Sequence, residues 1–430
     1  MLPRWGPIGL IFLLSSLGIP VGQPAHAQQY KSIPPRVSAK AAKSLRNKAA
    51  QALRNPSDLA ANRGAIDDYL KKYLFPTMTS TNPDSLGQLA KLRDDLFKRY
   101  LRSAVSKPAQ DYITNLILTA MGRIALDRYH PAVRYNAVLI LGELDQRYAT
   151  KGANPKPPTP LPAGTKALLG LLEKDAYKGV KIPPMLKVAA LIGLQRHARF
   201  GIDPQYGPRV TQGAIDLIQQ QKTPAEMDPE VHHWLQCMAG RVLSRQFATS
   251  GPNGAVQKAL TSMIGDEEMS LENRCYVAAL LADMNYSAAK GLDMATTVTV
   301  LGNLAHAVTH DEADKAREFK AALLSGSAGQ FQQGRFQSGG AGALDAGPHY
   351  ERRRLLDRLR ALTRGIEAVS AAANPAAKGQ LQALSGPLLP VIATAGEKDT
   401  TDVDIADPII ALAGEIDQVI RSWKPADKPA

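Results

Sequence analysis

One pattern limits this chain more than any other. Residues 131–144 read P-A-V-R-Y-N-A-V-L-I-L-G-E-L. A first-turn proline followed by small and aliphatic residues at helical spacing describes one amphipathic helix. Degraded copies start at Pro184, Pro229 and Leu271, so starts at 131, 184, 229 and 271 lie 53, 45 and 42 residues apart. Further helices are predicted between them, over about 165–176, 207–221 and 254–264. A unit of two helices cannot hide its own apolar face, so repetition at this period requires neighbours to stack. Such an array offers a surface rather than a reaction.

The residues that repeat are specific. Pro131, Val133, Arg134, Ala137, Leu141, Gly142 and Leu144 form the best copy. Pro184, Leu186, Lys187, Ala190 and Leu194 form the second, and Pro229, Val231, His232, Leu235 and Ala239 the third. Leu271, Asn273, Arg274, Val277 and Leu281 form the fourth. The pattern resembles the second helix of the HEAT-repeat family, with His130 where an Asp often precedes the proline. The resemblance covers about half the chain. It implies an all-α fold: an α-solenoid of HEAT-like helical hairpins, flanked by additional N- and C-terminal helices. It also implies a concave groove lined by second helices and binding a protein or peptide. On that reading Arg134, Tyr135, Lys187, His232 and Arg274 lie near the groove or in a ladder between repeats.

The first residues are not fold. Arg4 precedes a mostly apolar stretch over 8–17, and Ala25-His26-Ala27 supplies small residues at −3 and −1. This is the layout of a secretory signal peptide with cleavage after Ala27, which makes the mature chain periplasmic or extracellular. No later stretch reaches 18 unbroken apolar residues, so no transmembrane segment is expected after signal removal. Export permits a disulfide between Cys237 and Cys275, which fall on second helices of successive repeats. The alternative is two small buried hydrophobes.

Composition agrees with helices. Hydrophobic residues make up 44% and aromatics 6%, with Ala and Leu prominent. That balance favours close helix packing over a β-sandwich. Residues 28–105 form a basic N-terminal helical region, with helices over 38–53, 62–75 (ended by Pro76) and 84–105. Residues 106–324 are the repeat array, with a proline-rich insertion at 151–163 expected as an extended loop. Residues 325–348 hold seven glycines and read as a disordered linker. Residues 349–423 return to helix, over 349–373, 380–395 (interrupted by Pro387 and Pro390) and 405–423, and 424–430 form a tail. The pattern leaves open whether these last helices form their own bundle or dock on the array.

No catalytic motif is legible. Gly164-Thr165-Lys166 lacks the earlier glycine of a phosphate loop, and no G-x-S-x-G elbow occurs. His306 and His310 lie four apart on a predicted helix, with Asp314 one turn on, but Ala307 stands where a zincin has its Glu. No metal or other cofactor is expected. His232 and His233 are adjacent and point about 100° apart on a helix, which rules out a shared ligand role.

Charge is the remaining signal. The net charge is +13, and removing Arg4 with the leader leaves +12. Much of the excess lies in 31–54, where Lys40, Lys43, Arg46 and Lys48 share a helix, and in 352–364. Aromatics do not interleave with these residues, so nucleic acid is not the expected target. An acidic protein, an anionic envelope polymer or an anionic membrane surface is. The leading expectation is a non-enzymatic exported scaffold for a protein or peptide. An envelope adaptor acting through the basic N-terminal segment is the alternative. A hydrolase assembled from distant residues comes last, since no nucleophile–base pair can be read.

Overall fold

The computed structural model describes residues 30–55, 59–104, 106–150, 153–225, 227–246, 254–286, 291–325 and 348–423. The expected signal sequence, nearly all of the glycine-rich stretch and the tail lie outside the described residues.

The N-terminal region is a helical hairpin with a broken continuation. In α1 (Ala39–Arg54), the Ser38 side chain accepts from the Ala41 N–H and caps the helix. It packs against α2 (Leu59–Tyr69). Pro76 does not end the second helix as its sequence predicts. A π-turn over Leu70–Leu74 leads directly into α3 (Phe75–Met78). Proline offers no N–H to the Lys72 carbonyl four residues back, and the Arg36 N–H fills that place at 2.8 Å. The helix expected over 84–105 is also broken, into α4 (Pro83–Gly87), α5 (Leu89–Leu96) and a π-turn over Phe97–Leu101.

Four helix pairs follow. They are α6 (Lys107–Leu126) with α7 (Pro131–Glu143) and α8 (Pro162–Leu172) with α9 (Pro184–Phe200). Then come α10 (Gly207–Ile218) with α11 (Pro229–Gln246) and α12 (Ala255–Ile264) with α13 (Leu271–Leu280). The second helices touch in chain order, α7 to α9 to α11 to α13, and the first helices do the same. At the crossing of α7 and α9 the backbones nearly meet. A Cβ built on Gly142 would lie 2.6 Å from the Gly193 Cα, so glycine is required there.

The proline-rich insertion is not simply extended. Its β2 (Thr159–Pro160) pairs antiparallel with β1 (Asp145–Arg147). A second ladder joins β3 (Ala176–Tyr177) to β4 (Val180–Lys181), turned by Lys178 and Gly179 at φ 47° and 76°. Two successive positive φ values are what a tight hairpin turn needs. Both ladders are local connections between helices.

The C-terminal helices dock on the array. A single 31-residue helix, α14 (Met294–Leu324), packs beside α12 and α13. On the far side of the undescribed stretch, α15 (Arg352–Ala372) packs against α13, α16 (Pro375–Gly396) against α15, and α17 (Asp402–Ser422) against α14 and α16. Pro387 and Pro390 lie inside α16 without interrupting it. The carbonyls they leave unpaired belong to Ala383 and Gly386, which are exposed and open to water. One contiguous set of buried apolar residues runs from Ala49 to Ile416. No described helix is long and apolar enough to cross a membrane.

Candidate functional site

The repeated basic position does not face a groove. The Arg134 Nε donates to the Ala125 carbonyl at 3.0 Å, and its Nη2 to the Lys181 carbonyl at 2.9 Å. Arg274 donates from Nε to the Ile264 carbonyl at 2.8 Å, and His232 Nε2 lies 2.8 Å from the Gln220 carbonyl. The Lys187 ammonium pairs with Asp175 at 2.8 Å. In every copy the partner lies at or just beyond the C-terminal end of the preceding first helix. Those ends carry unpaired carbonyls, which the Arg134 and Arg274 guanidinium groups and the His232 ring meet, while Lys187 meets the Asp175 carboxylate just beyond. These residues therefore hold each pair together, and Arg134 also ties its pair to the next through Lys181. Arg134, His232 and Arg274 are buried, and the neighbouring Tyr135 is half-buried against the core. Of the two placements expected, groove or ladder, the Arg134 contact with Lys181 in the next pair has the character of a ladder.

The side of the second helices that stays open is offset from these positions. Ile192, Gln195, Arg196 and Arg199 share one face of α9, and Val231, Trp234, Arg241 and Arg245 share one face of α11. A cleft of about 380 Å³ lies between them, lined by the α9 residues, Phe200, Arg241 and Arg245. Trp234 is 43% exposed, and Ile192, Val231 and Tyr276 add further exposed apolar area. Two guanidinium groups approach the Phe200 ring, Arg196 and Arg199 at 5.4 Å and 5.3 Å from its centre. That arrangement holds both cations by cation–π attraction. Gln195 Nε2 donates to the Met238 carbonyl at 3.2 Å and fixes α9 against α11.

The cleft carries uncompensated positive charge. Arg196 is neutralised by Asp145 at 2.7 Å, and Arg245 approaches Asp283 at 3.6 Å. Among the described residues, Arg199 and Arg241 have no carboxylate within ion-pair distance. Burial raises the carboxyl groups of Asp145 and Glu143 despite the arginines beside them. Neighbouring helices cover the row at both ends. On one side, Arg93 of α5 donates to Asn136 at 3.0 Å and pairs with Glu143 at 3.3 Å over α7. On the other, α15 lies on α13 and Arg364 reaches Asp283 at 2.6 Å. The α9–α11 stretch stays uncovered between them. Sequence reasoning did not single out this face, although Trp234, Arg241 and Arg245 at i, i+7 and i+11 mark a single stripe.

The other candidate residues have separate fates. Lys40, Lys43 and Lys48 are exposed on α1, with no carboxylate within ion-pair distance among the described residues. Arg46 turns inward to a cleft of about 410 Å³ shared with Arg54, Arg99 and Tyr100. Cys237 and Cys275 are free and buried, so the permitted disulfide is not formed. Burial pushes both thiols up to about 12, which leaves them protonated and unreactive. His306 and His310 do not converge on Asp314, which pairs with Arg317 at 2.6 Å. They meet Asp417 of α17 instead.

Compared with family models, curated proteins and solved structures, the chain matches none.

Proposed function

We propose that this chain is an exported, non-enzymatic scaffold, built as an α-solenoid of HEAT-like hairpins, and that its α9–α11 cleft takes an extended acidic segment of a partner protein. The observation that carries the reading is the pairing of exposed apolar side chains with unneutralised arginines on one open face. Trp234 and Ile192 supply exposed apolar area that a partner would cover, and Arg199 and Arg241 supply charge. Aromatic and arginine side chains are the residues that dominate binding energy in such patches. Two protonated, buried cysteines and the lack of a legible nucleophile–base pair support the non-enzymatic part. The leader sequence supports export.

The test is fluorescence anisotropy with labelled Asp/Glu-rich peptides against the chain from residue 28. Binding is expected to weaken with salt and to fall at least tenfold in the Arg199→Glu/Arg241→Glu protein. Charge reversal at Lys40, Lys43 and Lys48 is expected to leave it unchanged. Equal binding of acidic and neutral peptides would overturn the reading.

A second reading rests on Lys40, Lys43 and Lys48, three exposed ammonium groups along one helix. They suit an anionic envelope polymer or lipid headgroups, each ammonium near such a surface contributing about 1 kcal/mol. Sedimentation with anionic vesicles, lost on triple reversal, distinguishes it from the cleft.

A further inference from the structure

Two helices at the C-terminal end of the array bring three ligand-type side chains together. His306 Nδ1 lies 2.8 Å from Asp417 Oδ1, and His310 Nε2 lies 3.1 Å from the same oxygen. The imidazole rings are 4.2 Å apart, and the three donor atoms all lie within 4.8 Å of one another. The histidines are one turn apart on α14, and the aspartate comes from α17. Their separation along the chain is 107 residues for His310 and Asp417, so the cluster exists only in the folded protein.

The helices are held close at this place. Gly302 lies one turn before His306, and a Cβ there would fall 2.4 Å from the Trp423 ring at the end of α17. The missing side chain lets Trp423 seat against α14, and the contact fixes the register that points Asp417 at both rings. The cluster also remains open. The side chains of His306 and His310 are 51% and 39% exposed.

We propose that His306, His310 and Asp417 form a site for one zinc ion that clamps α17 to α14. Two imidazole nitrogens and one carboxylate oxygen are a zinc donor set, with the fourth tetrahedral position left to water. Calcium and magnesium require more oxygen ligands than the cluster offers. Ligand atoms 2.0–2.1 Å from zinc at tetrahedral angles stand about 3.3 Å apart. The 2.8 Å and 3.1 Å separations therefore need to open slightly, and the two nitrogens, within 4.8 Å of each other, to settle at the same spacing, for the ion to enter. In the neutral rings, the nitrogens facing Asp417 carry the protons that this carboxylate accepts. Zinc takes the lone pairs at those nitrogens, so each ring moves its proton to its other nitrogen. Arg421 stands 4.0 Å from Asp417 Oδ2 and is 80% exposed, free to swing into solvent when the cation arrives.

The experiment uses the chain from residue 28, stripped with a chelator and titrated with zinc by calorimetry, with cobalt absorption reporting geometry. The expected result is one equivalent bound in the micromolar range, a rise in melting temperature and a tetrahedral cobalt spectrum. Magnesium is expected to produce neither signal. Asp417→Asn and His310→Ala are each expected to weaken zinc at least tenfold and to remove the melting shift, while His349→Ala changes nothing. No uptake, or uptake unchanged in both the Asp417→Asn and His310→Ala proteins, would overturn the site. Circular dichroism of each variant without metal separates lost binding from lost folding.

Discussion

The Glu312 carboxylate, 1% exposed, receives both arms of the Arg354 guanidinium at 3.0 Å each. Arg358 adds a third hydrogen bond at 2.7 Å, and the Tyr350 hydroxyl donates to the same carboxylate. Arg358 also bonds Asp311 and Glu272. This network joins α14 to α15 across the undescribed stretch.

Removing Glu312 is therefore expected to be severe. In Glu312→Ala, Arg354 and the 6%-exposed Arg358 lose the carboxylate they share. Breaking one side of a buried ion pair costs about 3–5 kcal/mol. Urea unfolding of the variant against the parent checks this, and a loss below 1 kcal/mol would show the network to be dispensable.

The α7–α9 crossing makes a sharper contrast. Gly142→Ala pushes a methyl group into the Gly193 backbone, which cannot swing aside. The expected loss is about 1–3 kcal/mol. Gly170→Ala, with nothing within 4 Å of its Cβ, is expected to stabilise α8 by about 0.5–1 kcal/mol. Thermal melts of the two variants should move in opposite directions.

Acid should unfold this protein partly through His197. The ring is fully buried, its Nδ1 2.8 Å from the Thr165 hydroxyl and its Nε2 3.1 Å from the Gly142 carbonyl. Burial pushes its imidazole from 6.5 down to about 3. Between those values the unfolded chain binds a proton that the folded one does not, so stability falls as pH falls. The slope from this group is at most about 1.4 kcal/mol per pH unit. Urea titrations from pH 7 to pH 4 should show it, and His197→Gln should flatten the profile by nearly one proton.

The cysteines give a simple chemical readout. With thiols buried and raised to about 12, a thiol reagent should find no reactive group in the native protein and two after denaturation. Mobility under reducing and non-reducing conditions should be identical. A difference would mean the pair is bridged.

Helices with strong periodicity are legible in the sequence, and so are their first-turn prolines. Pro131, Pro184 and Pro229 open helices as their fixed φ suits, whereas Pro162, read as part of an extended loop, turns out to open α8. Pro76, Pro387 and Pro390 are misread as breaks, because the repair is tertiary in one case and solvent-mediated in the others. The basic residue three positions after each start is legible as a repeat feature but not as a cap. Nothing local reveals that its partner lies at or just past a helix end nine to twelve residues upstream. The cleft is illegible for a related reason: which stripe of α11 stays open depends on what α5 and α15 cover. Asp417 is illegible because its proximity to His306 depends on how α17 is seated, to which Gly302 and Trp423 contribute.

The seating of α15 on α13 and of α17 on α14 means that packing, rather than the chain between them, holds the end of the stack. Loop-closure entropy rises only logarithmically, by about 0.6 kcal/mol for each doubling of length. Lengthening the connection between Ser325 and Pro348 is therefore expected to leave the seating of the last helices intact, because that seating is made by the helices themselves.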